Sequence, residues 1–278
     1  MTIQSVLGQK FAEWDECLNG SDPENLDTNS VSHVLYALYF DLCAYEAYAA
    51  VRRRSAPDNP LAAPMFDYLV GSGYVQKQVV RIRRLCEALP AIRPDGRDNS
   101  IYSLRRIVDD MRRLRSERVL TSDNIYAVYA AQAHGGEISR TALDRLCDAQ
   151  GLLHKRITDE LSKKVLPDRS TELRAIYDYS NKMVVHSSSQ SSRQALGRDL
   201  GLTLAQVNKV IGDLTEAFYL CHRFVCLADH SPMVALGWEL SFQDLGDGDL
   251  EIVREVYSRI EQQSEEHKAQ AYQVLGLW

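Results

Sequence analysis

The chain has 278 residues, 45% of them hydrophobic, which is enough for a substantial core, and it carries a net charge of −6 with a pI near 5.7. That acidity excludes a surface that grips duplex nucleic acid along its length by phosphate neutralisation, while leaving room for local basic patches. The six cysteines, Cys17, Cys43, Cys86, Cys147, Cys221 and Cys226, are scattered without a CxxC pair and no signal-like N-terminus precedes them, so a reduced, cytoplasmic setting is expected.

Apolar residues at Val6, Leu7, Phe11, Trp14 and Leu18 predict a helix over 3–18 that stops at Asn19-Gly20. After the polar loop 21–29, Asn29 or Ser30 can cap a long helix over 31–54. This segment is apolar on nearly every side, which a helix tolerates when neighbours cover it all round, and it reads as the core helix. It does not read as a membrane span, because it holds Asp41 and Glu46 and an aspartate at a bilayer centre costs roughly 2.5–3.5 kcal/mol. Buried carboxylates need partners, and Arg81, Arg83 and Arg84 are candidates; the expectation is that Asp41 or Glu46 lies within reach of Arg81 or Arg84. The triplet Arg52-Arg53-Arg54 sits in the last turn, where cations complement the helix dipole, with phosphate binding as the alternative.

A Pro-rich loop, 56–64, leads to a helix over 65–89 with Gly71 and Gly73 in its interior. Glycine there costs about 1 kcal/mol against alanine, so close packing of another helix is expected to compensate. Lys77, Arg81 and Arg84 fall three and four apart and form one basic stripe, either bridging to the preceding helix or contacting RNA. A basic helix is predicted over 100–117, its arginines broken up by Asp109 and Asp110, then a capped helix over 121–132. Past Gly135-Gly136, Ile138, Leu143, Leu146, Leu152, Leu153, Ile157 and Leu161 predict one helix over 137–165, closed by Pro167.

Ser170 and Glu172 can open a helix over 172–186, with Leu173, Ile176, Tyr177, Ser180, Val184 and Ser187 on one helical stripe. Lys182 and His186 share a polar face, with Asn181 about 140° round from His186. The serine run 187–192 reads as a flexible connection. The spacing across 193–214 matches a helix-turn-helix, but its recognition helix would offer Gln206, Asn208 and Lys209 beside Asp213 and Glu216, a poor charge for phosphates. His222, Cys226 and His230 recur every four residues over roughly 12 Å of helix, so no single ion reaches all three, and no metal or cofactor is expected. A charged helix over 251–273 and a hydrophobic end follow. With no sustained apolar/polar alternation, no phosphate-cradling glycine motif and no nucleophile elbow, the class is all-α, a single helical domain.

Tyr179-Ser180-Asn181-Lys182 followed by Val184-Val185-His186 resembles the tyrosine-small-Asn-Lys…His signature of the HEPN superfamily, in its abortive-infection U type branch. The segments 66–87 (FDYLVGSGYVQKQVVRIRRLCE) and 100–111 (SIYSLRRIVDDM) are similar to that family's earlier helices, so the resemblance spans about 31–229, with 230–278 as a C-terminal extension. It implies an antiparallel helical bundle, a homodimer, and a metal-independent endoribonuclease of a prokaryotic defence or toxin–antitoxin system, with RNA and an antitoxin or other defence protein as partners. Asn181, Lys182 and His186 are then the catalytic residues, and Lys77, Arg81 and Arg84 contact RNA. Ser180 stands where HEPN ribonucleases carry an arginine, so Lys182 is expected to supply the charge beside the phosphate. The alternative is a non-catalytic helical protein of the same fold that binds nucleotide, RNA or a protein partner.

Overall fold

Leu204–Cys226, a single 23-residue helix, is the axis on which the molecule is assembled. In the computed structural model, which describes residues 2–20, 30–54, 64–88, 102–132, 140–181, 202–226, 230–231, 233 and 246–276, it is the ninth of ten helices. The others are α1 (Ile3–Asn19), α2 (Val31–Arg54), α3 (Pro64–Cys86), α4 (Leu104–Ser116) and α5 (Ser122–Gln132). They continue with α6 (Arg140–Arg145), α7 (Lys155–Val165), α8 (Thr171–Tyr179), then α9 (Leu204–Cys226) and α10 (Asp247–Leu275). The only strand-like pairings among the described residues are two isolated bridges, Thr121 with Leu152 and Cys147 with Leu153. The all-α expectation holds.

α9 touches α10, α7, α1, α3, α8, α2 and α4. From Val210 to Val225 all of its residues are buried except Asp213 and Arg223, which is why its sequence is mostly apolar on every side, with Thr215, Glu216 and His222 as the buried polar exceptions. The central place expected for 31–54 therefore belongs to α9. α2 is the next most enclosed element, held by α10, α3, α1 and α9, with only Phe40, Arg53 and Arg54 exposed. α2 is long and apolar enough to pass a compositional test for a membrane span, as the core helix of a soluble protein also does. The stretch Leu204–Leu214, offered as a DNA-recognition helix, is the first half of this axis. Its Lys209 is paired with Asp213 at 2.7 Å, and its Asn208 accepts from the Tyr74 hydroxyl at 3.5 Å.

The single helix expected over 137–165 is two helices. Between α6 and α7 the chain turns at Asp148, whose Oδ1 accepts from the amides of Gln150 at 2.9 Å and Leu152 at 3.1 Å. Gly151 has φ +71°, a left-handed conformation that a helix cannot include and that glycine adopts without steric cost. Leu152 and Leu153, which carried the helical periodicity across this point, are buried as bridge residues instead.

The glycines expected to admit a neighbouring helix in α3 do not. A Cβ on Gly71 would meet the Tyr45 hydroxyl at 3.8 Å, and one on Gly73 would meet nothing within 4 Å. The glycine that a close approach does require is Gly212 of α9, where a Cβ would lie 2.5 Å from Cε1 of His267 on α10.

Asp41 is met by α3 as expected. It accepts from Lys77 at 2.9 Å and pairs with Arg81, which also donates to the Ala37 carbonyl at 2.8 Å. Glu46 instead pairs with Arg259 of α10.

Candidate functional site

The described part of the Tyr-Ser-Asn-Lys motif lies where the C-terminal end of α8 meets the C-terminal half of α3. Ser170 starts α8 by accepting from the Leu173 amide at 3.2 Å, as its sequence suggests, and Leu173 and Ile176 go to the core. The next inward position is Ser180, fully buried, where the chain widens into a π-helical turn over Ser180–Asn181, the kind of local widening that re-aims side chains at functional sites.

A buried hydroxyl needs a hydrogen-bond partner, and Ser180 has Arg83. Nη1 of Arg83 donates to Ser180 Oγ at 2.9 Å and to Asn181 Oδ1 at 2.8 Å, while Nη2 reaches Glu87 at 3.4 Å. The guanidinium also lies over the Tyr177 ring, 5.2 Å from its centroid. Tyr177 is fixed in turn by donating its hydroxyl to the Cys86 carbonyl at 2.8 Å, and burial pushes its phenol up, which keeps it protonated as a donor. Ser103, the cap of α4, donates to the Glu87 carbonyl at 2.8 Å, so α3, α4 and α8 converge here on one arginine and one tyrosine.

No protein-family model, curated protein or solved structure matches the chain. The likeness to HEPN proteins accordingly rests on the sequence motifs alone.

Of the residues expected at the site, Asn181 is brought against an arginine; Lys182 and His186 lie outside the described residues. Lys77 and Arg81 turn to Asp41 of α2, and Arg84 is half-buried on α3. The cation that reaches the motif is Arg83, which sequence reasoning had considered only as a partner for the acids of α2. The signal was available: Arg81 and Arg83 are two apart and cannot share a helical face, so an Arg81 facing α2 leaves Arg83 for another neighbour.

Two other polar groupings are built into the interior. Glu216 of α9 accepts from Lys164 of α7 at 2.5 Å and from His267 of α10 at 2.8 Å, and Lys164 also lies 3.6 Å from Asp213. Burial alone would raise the Glu216 carboxyl; the bonds from His267 and Lys164 outweigh it and hold the group below its ordinary value. The rings of His222 and His230 meet edge to face at 4.8 Å within a cluster with Phe218. Cys226 points elsewhere, its thiol donating to Asp15 at 3.2 Å. No group of three histidines, cysteines or carboxylates able to hold a metal ion occurs among the described residues.

Proposed function

We propose that the chain is a HEPN-like, metal-independent endoribonuclease of a prokaryotic defence or toxin–antitoxin system, in which Arg83 supplies from α3 the guanidinium that the motif lacks at Ser180. The observation that supports this reading is the pair of hydrogen bonds from Nη1 of Arg83 to Ser180 and Asn181. An arginine offers a planar pair of donors to a phosphate, which Lys182 alone would not. In the reaction, the ribose 2′ oxygen attacks the adjacent phosphorus and the 5′ oxygen of the next nucleotide leaves. His186 takes the 2′ proton and returns one to the leaving oxygen; Arg83 and Lys182 stabilise charge on the phosphate oxygens; Asn181 orients the phosphate. A homodimer, and an antitoxin or another defence-system protein as regulator, belong to the same proposal.

The test is labelled RNA incubated with the wild-type chain, with and without EDTA, beside His186→Ala, Arg83→Lys and Arg83→Ala, with circular dichroism to check that each variant is folded. Cleavage should persist in EDTA, fall by ~10²-fold or more in His186→Ala, and fall further in Arg83→Ala than in Arg83→Lys. Unchanged cleavage in His186→Ala would refute the catalytic role of that histidine.

A second reading, a non-catalytic protein of the same fold that binds nucleotide, RNA or a partner protein, is favoured by the protein contacts that Arg83 already makes. Both N–H groups of Nη1 go to Ser180 and Asn181, Nη2 reaches Glu87, and its face has Tyr177, so it can serve as a clasp between α3 and α8. Wild-type protein inert on every RNA, with Arg83→Ala lowering thermal stability, would decide for this reading.

A further inference from the structure

The arginine triplet that ends α2 divides its work. Arg52 turns to α3 and pairs with Asp67. Arg53 and Arg54 are exposed and make no ion pair with any described residue. Both line a groove between α2 and the N-terminal half of α10, about 610 Å³ in volume, whose other walls are Glu46, Ala50, Glu255 and Arg259. Its floor is apolar: Ile252 is 4% exposed and Val256 is 7% exposed.

We infer that this groove binds a small phosphate ester bearing free hydroxyl groups, of the class of mononucleotides and sugar phosphates. Arg259 is neutralised by Glu46, so the charge left in the groove is that of Arg53 and Arg54 against Glu255. Two adjacent guanidiniums without acid partners among the described residues are suited to a phosphate, to which arginine donates in a bidentate fork. An ionised Glu255 accepts but cannot donate; it repels a bare anion but accepts from sugar hydroxyls, so Arg53 and Arg54 beside Glu255 select a ligand that carries both groups. Ala50, Ile252 and Val256 offer an apolar surface for a sugar or base face, and the volume is within the roughly 300–1,000 Å³ of small-molecule pockets. The chain is acidic overall, with a net charge of −6, so two adjacent exposed arginines are a local feature and not the background of a basic surface. The inference is independent of the ribonuclease reading, since these walls come from α2 and α10 whereas Arg83 and Asn181 come from α3 and the end of α8.

The experiment is isothermal titration of the full chain with adenosine monophosphate, ribose 5-phosphate and inorganic phosphate in turn, repeated with the double variant Arg53→Ala/Arg54→Ala and with Glu255→Ala. The expected result is saturable one-to-one binding of at least one ester, about tenfold tighter than inorganic phosphate. The double variant should lose about tenfold or more of that affinity. Glu255→Ala should narrow the gap between ester and inorganic phosphate. Preference for adenosine monophosphate over ribose 5-phosphate places a base on the apolar floor; equal affinity leaves the sugar phosphate as the recognised unit. Failure of every probe to bind at millimolar concentration would overturn the inference. So would inorganic phosphate binding as tightly as the esters, or a double variant, shown folded by circular dichroism, that binds as the wild type does. Both arginines are exposed, so their removal leaves the core intact.

Discussion

At Gly212 the absence of a side chain lets His267 reach Glu216. A Cβ there would sit 2.5 Å from Cε1 and 2.6 Å from Nε2 of the imidazole, and the ring cannot swing aside without giving up its 2.8 Å bond to Glu216. Gly212→Ala gains up to about 1 kcal/mol of helix propensity but pays overpacking of typically 1–3 kcal/mol, so a net loss of about 1 kcal/mol in chemical denaturation is expected. The same change in a His267→Ala background removes the clash and should stabilise, reversing the sign; additive effects in that double-mutant cycle would sink the account. Gly73 is the control, since nothing stands within 4 Å of its missing Cβ, and Gly73→Ala should raise stability by about 0.5–1 kcal/mol. The sequence could not tell these two glycines apart. Both lie inside helices, and the distinction is made by a residue 55 positions beyond Gly212, at His267.

Among elements, those whose ends and faces are set locally were legible. The Ser170 cap, the inward stripe through Ser180 and the extent of α2 all follow from spacing and from side chains within a turn or two. The pairing of Asp41 with Lys77 and Arg81 was also within reach, because α2 and α3 are consecutive and antiparallel neighbours. Glu46 pairs with Arg259, across 213 residues, and no local pattern names such a partner. The break between α6 and α7 was hidden differently: the leucines keep a helical interval through it, so periodicity outvoted the Asp148 to Gly151 turn. That turn gives a test. Gly151 has φ +71° with open space round it, so Gly151→Ala carries only a conformational cost, about 1–2 kcal/mol, measurable as a lower denaturation midpoint. Gly151→Asn should cost less, because asparagine tolerates the left-handed region. Equal stability of wild type and Gly151→Ala would mean that the turn is not held as described.

At the scale of the whole molecule, α9 is held to its neighbours by polar groups, Glu216 on the helix itself and His230 packed against it, whose charge states agree on one direction of pH dependence. His230 is packed against Phe218 and His222, with Tyr36 and Tyr219 close by; burial first, with Lys268 adding to it, holds its imidazole below the ordinary value of 6.5, against the bond with the Ser231 carbonyl. Glu216 is held below its ordinary 4.5 by His267 and Lys164. In both cases the unfolded chain binds the proton more readily than the folded one, so stability increases with pH through the titration range. The His230 contribution is complete above about pH 6.5 and is lost as pH falls through its folded value; the Glu216 contribution is complete above about pH 4.5 and is lost below that, as acid protonates the carboxylate that joins α7, α9 and α10. Urea midpoints measured from about pH 7 down to about pH 4 should therefore fall monotonically. His230→Phe, which keeps a ring against Phe218, should flatten the upper part of that profile and leave the lower part in place. A midpoint that stays level or rises on acidification would show that neither group is held as its packing on α9 requires.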